Sequence, residues 1–146
     1  MAEIMTRDFG KIEVDDDKIF TFPSGLFAFE DCRSFALISP LGEGVYPMWL
    51  QCTDSITPCF IVFDPQLIDG SYSITLNSSE KKLLKIKDES KVRCLSIAVV
   101  PEDYKKTTVN MKCPIVINTE ENLAAQVILP EKYEIRLPIY VEKGAE

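Results

Sequence analysis

The sequence predicts an all-β fold: a small antiparallel β-barrel-like domain of about ten short strands with one or two short helices, spanning residues 1–146. Three features point there. Apolar residues recur with period two, the period of a strand with one buried face. Each apolar run is followed within a few residues by Gly, Pro, Asp or Asn. Helical periodicity is almost absent, which favours a sandwich or barrel over a layered α/β fold.

The runs follow in order. IEV and KIFTF flank the acidic triplet Asp15–Asp17, which reads as a solvated hairpin loop because calcium loops spread their ligands around a glycine turn. SFALIS follows, then YPMWLQC, where Tyr46, Met48, Leu50 and Cys52 share one face, and then CFIVF. GSYSITLN alternates Tyr72, Ile74 and Leu76 with Ser73 and Thr75, the pattern of a half-buried strand. SSEKKLLKI is the one persuasive helix. Ser78 or Ser79 can cap it, Glu80 suits its positive end, and Leu83, Leu84 and Ile86 can turn inward. A shorter helical turn is expected at LFAFEDC after Pro23-Ser24-Gly25. VRCLSIAVV is apolar on both alternating sets, which places it centrally, and AAQVIL and IRLPIYV complete the set.

The segment Thr108–Asn118, TVNMKCPIVIN, carries a proline where a strand is expected. Met111, Cys113, Ile115 and Ile117 hold the apolar register through it, so Pro114 is expected on the outward face. A proline lacks the amide donor a ladder needs and is confined to edges or bulges. Pro138 repeats the device, suggesting blunted edges or the corner of an incompletely closed barrel.

Composition excludes several classes. The chain is 46% hydrophobic and 27% charged, an ordinary globular balance. No apolar run approaches the ~20 residues of a membrane-spanning helix, and the N-terminus lacks a signal-peptide pattern, so a cytoplasmic protein without membrane contact is expected. With no histidine, neither a Ser-His-Asp triad nor an imidazole metal site can form. Five cysteines without CxxC spacing, each among apolar neighbours, argue against a disulfide framework or zinc site, and no cofactor is expected. Residues 1–80 carry 4 Lys/Arg against 13 Asp/Glu, residues 81–112 carry 9 against 4, and residues 113–146 carry 3 against 6. The net charge of -7 disfavours direct nucleic-acid binding, and the lysines of EKKLLKIKDESK alternate with acids as on a solvated helix. No nucleophile, base or phosphate loop is nominated.

The remaining candidates are surfaces. GLFAFED sets Phe27 beside Glu30 and Asp31: either a core-capping turn or an apolar ridge with an acidic rim that binds a protein. Trp49 lies opposite Met48 and Leu50, where it is either shielded by another element or an interface anchor.

FPSGLFAFED, MWLQ, CFIVFDP, SYSITL…LLKI, VVPED, TVNMKCPIVIN and QVIL fall in an order and spacing that resemble the flagellar assembly factor family, FliW, from about Thr6 to Tyr133. The resemblance implies a small cytoplasmic β-barrel, not an enzyme, that binds flagellin and the translational regulator CsrA. It couples flagellin level to flagellin translation and promotes filament assembly. On the family string the outward Asn110, Pro114, Val116 and Asn118 become partner-contact candidates, beside Trp49, Phe27, Glu30 and Asp31. The free protein is expected to be a monomer. A rival reading is a small-ligand-binding β-barrel with Phe, Tyr and Cys lining a cavity. A third is an OB-like binder of single-stranded RNA.

Overall fold

The computed structural model describes residues 1–129 and 132–139. The chain opens with a hairpin, β1 (Ala2–Thr6) and β2 (Gly10–Val14), paired from Ala2↔Val14 to Thr6↔Gly10. Thr6 Oγ1 closes its turn, donating to Gly10 O at 2.6 Å and accepting from Phe9 N at 2.9 Å. The single-turn 3-10 helix Asp16–Lys18 then leads into β3 (Ile19–Thr21). The acidic triplet is thus exposed as expected, but it is not a hairpin loop, since β2 pairs with β1 and β3 with two later strands.

A meander follows: β4 (Ser34–Ile38), β5 (Met48–Cys52), β6 (Cys59–Phe63) and, after two short helices, β7 (Val92–Val99). β8 (Thr108–Val109), β9 (Ile115–Asn118), β10 (Leu123–Gln126) and β11 (Leu137–Pro138) complete the chain. β9 pairs antiparallel with β7, from Val92↔Asn118 to Leu95↔Ile115. β10 meets β3 in parallel at Leu123↔Thr21. These two seams close β3, β4, β5, β6, β7, β9 and β10 into a seven-stranded barrel, so the sheet has no open corner there. β8 and β11 extend from the second half of β7, and Pro138 lies on the terminal strand, the edge its missing amide requires.

The barrel is filled by side chains: Phe20, Phe22, Phe35, Met48, Leu50 and Ile117 are all buried within one apolar cluster. A second cluster lies outside the barrel, where Tyr72, Leu84, Val109, Met111, Val116 and Val127 pack together. A third, of Ile4, Val14 and Ala36, lies beneath the N-terminal hairpin. Burial of each such side chain stabilises by about 1.5–3 kcal/mol, so all three layers contribute.

Helix α1 (Pro65–Ile68) starts at Asp64, whose side chain accepts from Gln66 N at 2.9 Å. Helix α2 (Ser78–Leu83) is capped by Asn77, not by Ser78 or Ser79. The Asn77 side chain accepts from Glu80 N and Glu80 accepts from Asn77 N, a reciprocal box that serines within the first turn cannot form. Leu84 is fully buried and Ile86 partly so, whereas Leu83 is exposed. At its C-terminus Lys85 N donates to Lys82 O and Ile86 N to Lys81 O, the Schellman pattern, with Lys85 at φ 55°.

Four expectations are corrected. GSYSITLN keeps its alternating burial but joins no sheet, because Asp64 and Pro65 divert the chain into α1. LFAFEDC forms tight turns with a single bridge between Leu26 and Phe29, not a helix. Cys32 and Cys52 are joined by a disulfide inside the barrel core, their Cα atoms 6.6 Å apart, while Cys59, Cys94 and Cys113 are free. The sequence could not foresee this pairing, since Cys32 reaches Cys52 only through the β4–β5 register that sets Cys52 opposite Phe35. TVNMKCPIVIN is not one strand, as described below. IRLPIYV lies partly outside the described residues.

A lysine in the left-handed region costs roughly 1–2 kcal/mol, part of which a glycine returns as unfolded-state entropy. Lys85→Gly is therefore expected to raise unfolding stability by about 0.5–1 kcal/mol in urea denaturation.

Candidate functional site

The diagnostic segment Thr108–Asn118 is broken in its middle. β8 ends at Val109, and Asn110 turns the chain: its Oδ1 accepts from Lys112 N at 3.1 Å and Cys113 N at 2.9 Å, while its own N–H donates to Ile97 O at 2.9 Å. Pro114 follows this turn and immediately precedes β9, buried, its carbonyl accepting from Val127 N at 3.0 Å. Its missing donor costs nothing at a strand entrance.

This overturns the outward placement of three candidates. Val116 has no exposed surface and Asn118 is 1% exposed. Asn118 Nδ2 donates to Leu84 O at 2.8 Å and Lys85 O at 3.2 Å, and its Oδ1 accepts from Glu120 N at 3.0 Å. It satisfies carbonyls at the end of α2 that would otherwise be left without donors. Alternation misled because β9 is covered on both faces, Ile115 and Ile117 by the barrel interior and Val116 by the outer cluster. Nor is β9 an edge, since β10 and β7 flank it. Asn110 is half-buried in its turn.

The loop between β3 and β4 brings the other candidates to the surface. Gly25 (φ +67°) lies so close to Glu30 that an added Cβ would stand 2.5 Å from its Cα, so only glycine fits. Leu26 is buried beneath the loop, leaving Phe27 48% and Phe29 43% exposed, with Glu30 and Asp31 exposed beside them. Phe29 packs edge-on against Phe60, centroids 5.4 Å apart. Arg33 braces the loop through Glu30 O at 3.1 Å and Pro23 O at 2.6 Å. Gln126 links this loop to the Asn110 turn: its Oε1 accepts from Phe27 N and its Nε2 donates to Cys113 O, both at 3.1 Å. Sequence reasoning did not nominate Gln126, although it heads the QVIL string and is the polar residue interrupting the apolar run AAQVIL.

Trp49 is half-buried and shielded. The turn of the N-terminal hairpin covers it, with Phe9 edge-on at 5.2 Å and Nε1 donating to Asp8 Oδ2 at 2.8 Å. Gln51 is wholly buried under the same hairpin. It accepts from Arg7 N at 3.0 Å and donates to the carbonyls of Cys52, Ser55 and Ile56. The Arg7 guanidinium holds the Asp8 carboxyl below the ordinary aspartate range; burial opposes this, and the Trp49 hydrogen bond adds a smaller lowering. Cys94 lies on the opposite register from the barrel core, and burial pushes its thiol up to about 12, which keeps it neutral. Among the described residues no group of three or more Cys, Asp or Glu is placed to hold a metal ion.

A family model described as FliW protein matches residues 3–139. The chain belongs to the FliW family. It is 35% identical over 147 residues to the flagellar assembly factor FliW of Natranaerobius thermophilus, covering 99% of this chain and 96% of that one. To the flagellar assembly factor FliW of Thermosipho africanus it is 36% identical over 129 residues, covering 87% and 88%. A crystal structure of the flagellar assembly factor FliW superposes with a TM-score of 0.87 at 28% identity, over 97% of this chain and 99% of that chain. The FliW barrel is therefore the architecture in which the exposed β3–β4 loop and the interior β9 have to be understood.

Two outcomes follow for this FliW chain. Val116→Asp would bury an unpaired charge and should lower urea stability by more than about 3 kcal/mol, with Asn118→Ala costing about 2 kcal/mol and Phe27→Ser staying within about 0.5 kcal/mol. Because the folded pKa of Asp8 is depressed, its contribution is complete above the unfolded value of about 3.9 and is lost as pH falls through the lower folded value. Emission from Trp49, the one tryptophan, should hold steady from neutrality to about pH 4 and shift to the red only below it.

Proposed function

We propose that this FliW-family assembly factor binds flagellin and the translational regulator CsrA, and so couples flagellin level to flagellin translation. The observation that carries the reading is the β3–β4 loop: two exposed phenylalanines held up by a rigid glycine turn and rimmed by Glu30 and Asp31. Exposed aromatics inside a polar rim are the composition of protein-binding hot spots. The net charge of -7 suits an encounter with a basic RNA-binding regulator and discourages RNA itself. Barrel interior space is occupied by side chains, which favours this reading over a small-ligand barrel. No helix among the described residues is long and apolar enough to cross a membrane, in keeping with action in the cytoplasm. The protein acts without catalysis or cofactor, as one domain that is monomeric when free.

The test is calorimetric titration with flagellin and CsrA from the same cell, separately and together. Phe27→Ser combined with Glu30→Lys should weaken at least one partner by roughly 2 kcal/mol at unchanged melting temperature. If neither partner binds the unmodified protein at micromolar concentration, the reading fails.

A further inference from the structure

Two stretches of strand-like backbone face a common cleft without strand partners. The first is the start of β7. Carbonyl Ile97 O accepts from Asn110 N and Lys91 O from Thr119 N, so the odd-numbered peptide groups of this strand point toward β8 and β9. Those of Val92 and Cys94 point the other way, toward β6. But β6 pairs with β7 only from Phe63↔Ser96 to Ile61↔Ala98. It leaves the sheet at Asp64, which caps α1, and Pro65 has no amide to donate. Among the described residues no strand continues the ladder along Val92–Cys94 on that side. Val92 N–H donates to Glu89 O, leaving the carbonyl of Val92 and both backbone groups of Cys94 facing the cleft.

The second stretch is the segment Tyr72–Leu76, whose sequence alternates as a strand should. Tyr72 is buried and Ile74 and Leu76 are half-buried, while Ser73 and Thr75 face out. Its start is tied down: Tyr72 OH donates to Met111 O at 2.7 Å, and Ser73 is bonded to Tyr133 OH through both backbone groups. From Ile74 to Leu76, no backbone group is hydrogen-bonded among the described residues. Both stretches line one cleft of about 510 Å³, within the ordinary range for ligand sites.

We propose that this cleft takes an extended peptide from a partner chain as an added β-strand, with apolar residues at alternate positions. Backbone groups repeating at strand spacing along two walls are satisfied in series by another strand, which a compact small molecule cannot provide. Val92, Cys94, Ile74 and Leu76 give alternate side chains of the guest an apolar floor. Charge on the cleft lining is balanced, Lys81 and Arg93 against Asp64 and Glu89, with Lys81 ion-paired to Glu89 at 3.1 Å, so recognition rests on the guest's backbone and its alternate apolar side chains. This inference goes beyond the flagellin and CsrA reading and stands without it.

The probe is a fluorescein-labelled dodecapeptide, DESVTVTVTDES, titrated into the full chain by fluorescence anisotropy, with amide exchange measured by NMR. We expect saturable binding below about 100 µM, and loss of roughly tenfold or more when the valine amides are N-methylated, which keeps every side chain but removes donors. Amides of Ile74, Leu76 and Cys94 should gain protection, whereas that of Thr75, on the side of the Ser73–Tyr133 hydrogen bonds, should not. No saturation up to about 1 mM, equal affinity of the N-methylated peptide, or protection elsewhere on the barrel would overturn strand addition.

Discussion

The structure depends on one four-residue strand being covered on every side. Ile115–Asn118 is hydrogen-bonded to β10 on one edge and β7 on the other, so it closes the barrel. Ile115 and Ile117 fill the barrel while Val116 anchors the outer layer, and the Asn118 amide holds the end of α2. Few positions join so many constraints. Three buried aliphatic side chains contribute about 1.5–3 kcal/mol each, and a buried amide left without partners costs a comparable amount. Such a strand carries no partner-facing side chains; its service to function is to hold rigid what surrounds it.

What surrounds it are two surfaces with different physical characters. The β3–β4 loop is a preformed convex ridge: Gly25 permits its close turn, Leu26 pins it to the core, and Gln126 ties it to the turn at Asn110. Its phenylalanines therefore stay exposed without collapsing onto the barrel, and ordering them on binding costs little entropy. The cleft beside β7 is concave and exists because β6 stops at Asp64–Pro65, leaving strand-like backbone on both walls. Prolines thus mark the places where ladders end: Pro65 where β6 departs, Pro114 at the entrance of β9, Pro138 on the terminal strand. Charge differs between the surfaces as well, with an acidic rim at the ridge and a balanced lining at the cleft, Lys81 and Arg93 against Asp64 and Glu89.

Where local pattern is decided by local physics, the sequence was a good guide. Period-two runs became β3, β4, β5, β6 and β7, and the lysine-rich helix formed one residue from its expected cap. For Phe27, Glu30 and Asp31 the sequence left a core-capping turn and an exposed ridge both open, because the PSG breaker says where the chain turns but not which aromatics reach solvent. Other elements were invisible for stated reasons. AEIMT is too short and too polar to declare β1, which gains its burial from the barrel wall beneath it. GSYSITLN has a strand's sequence, but a strand needs a neighbour and none of the described residues supplies one.

Sequence alone thus determined the fold class, the absence of histidine chemistry, the charge asymmetry and the motif string of the FliW family, since each is a property of composition or short-range order. Only the tertiary structure decided what TVNMKCPIVIN does. Alternation reports which residues could face a core but not how many cores there are. Here a barrel inside and a helix-covered layer outside enclose both faces of β9, and residues that read as an outward row became the interior on which two surfaces rest.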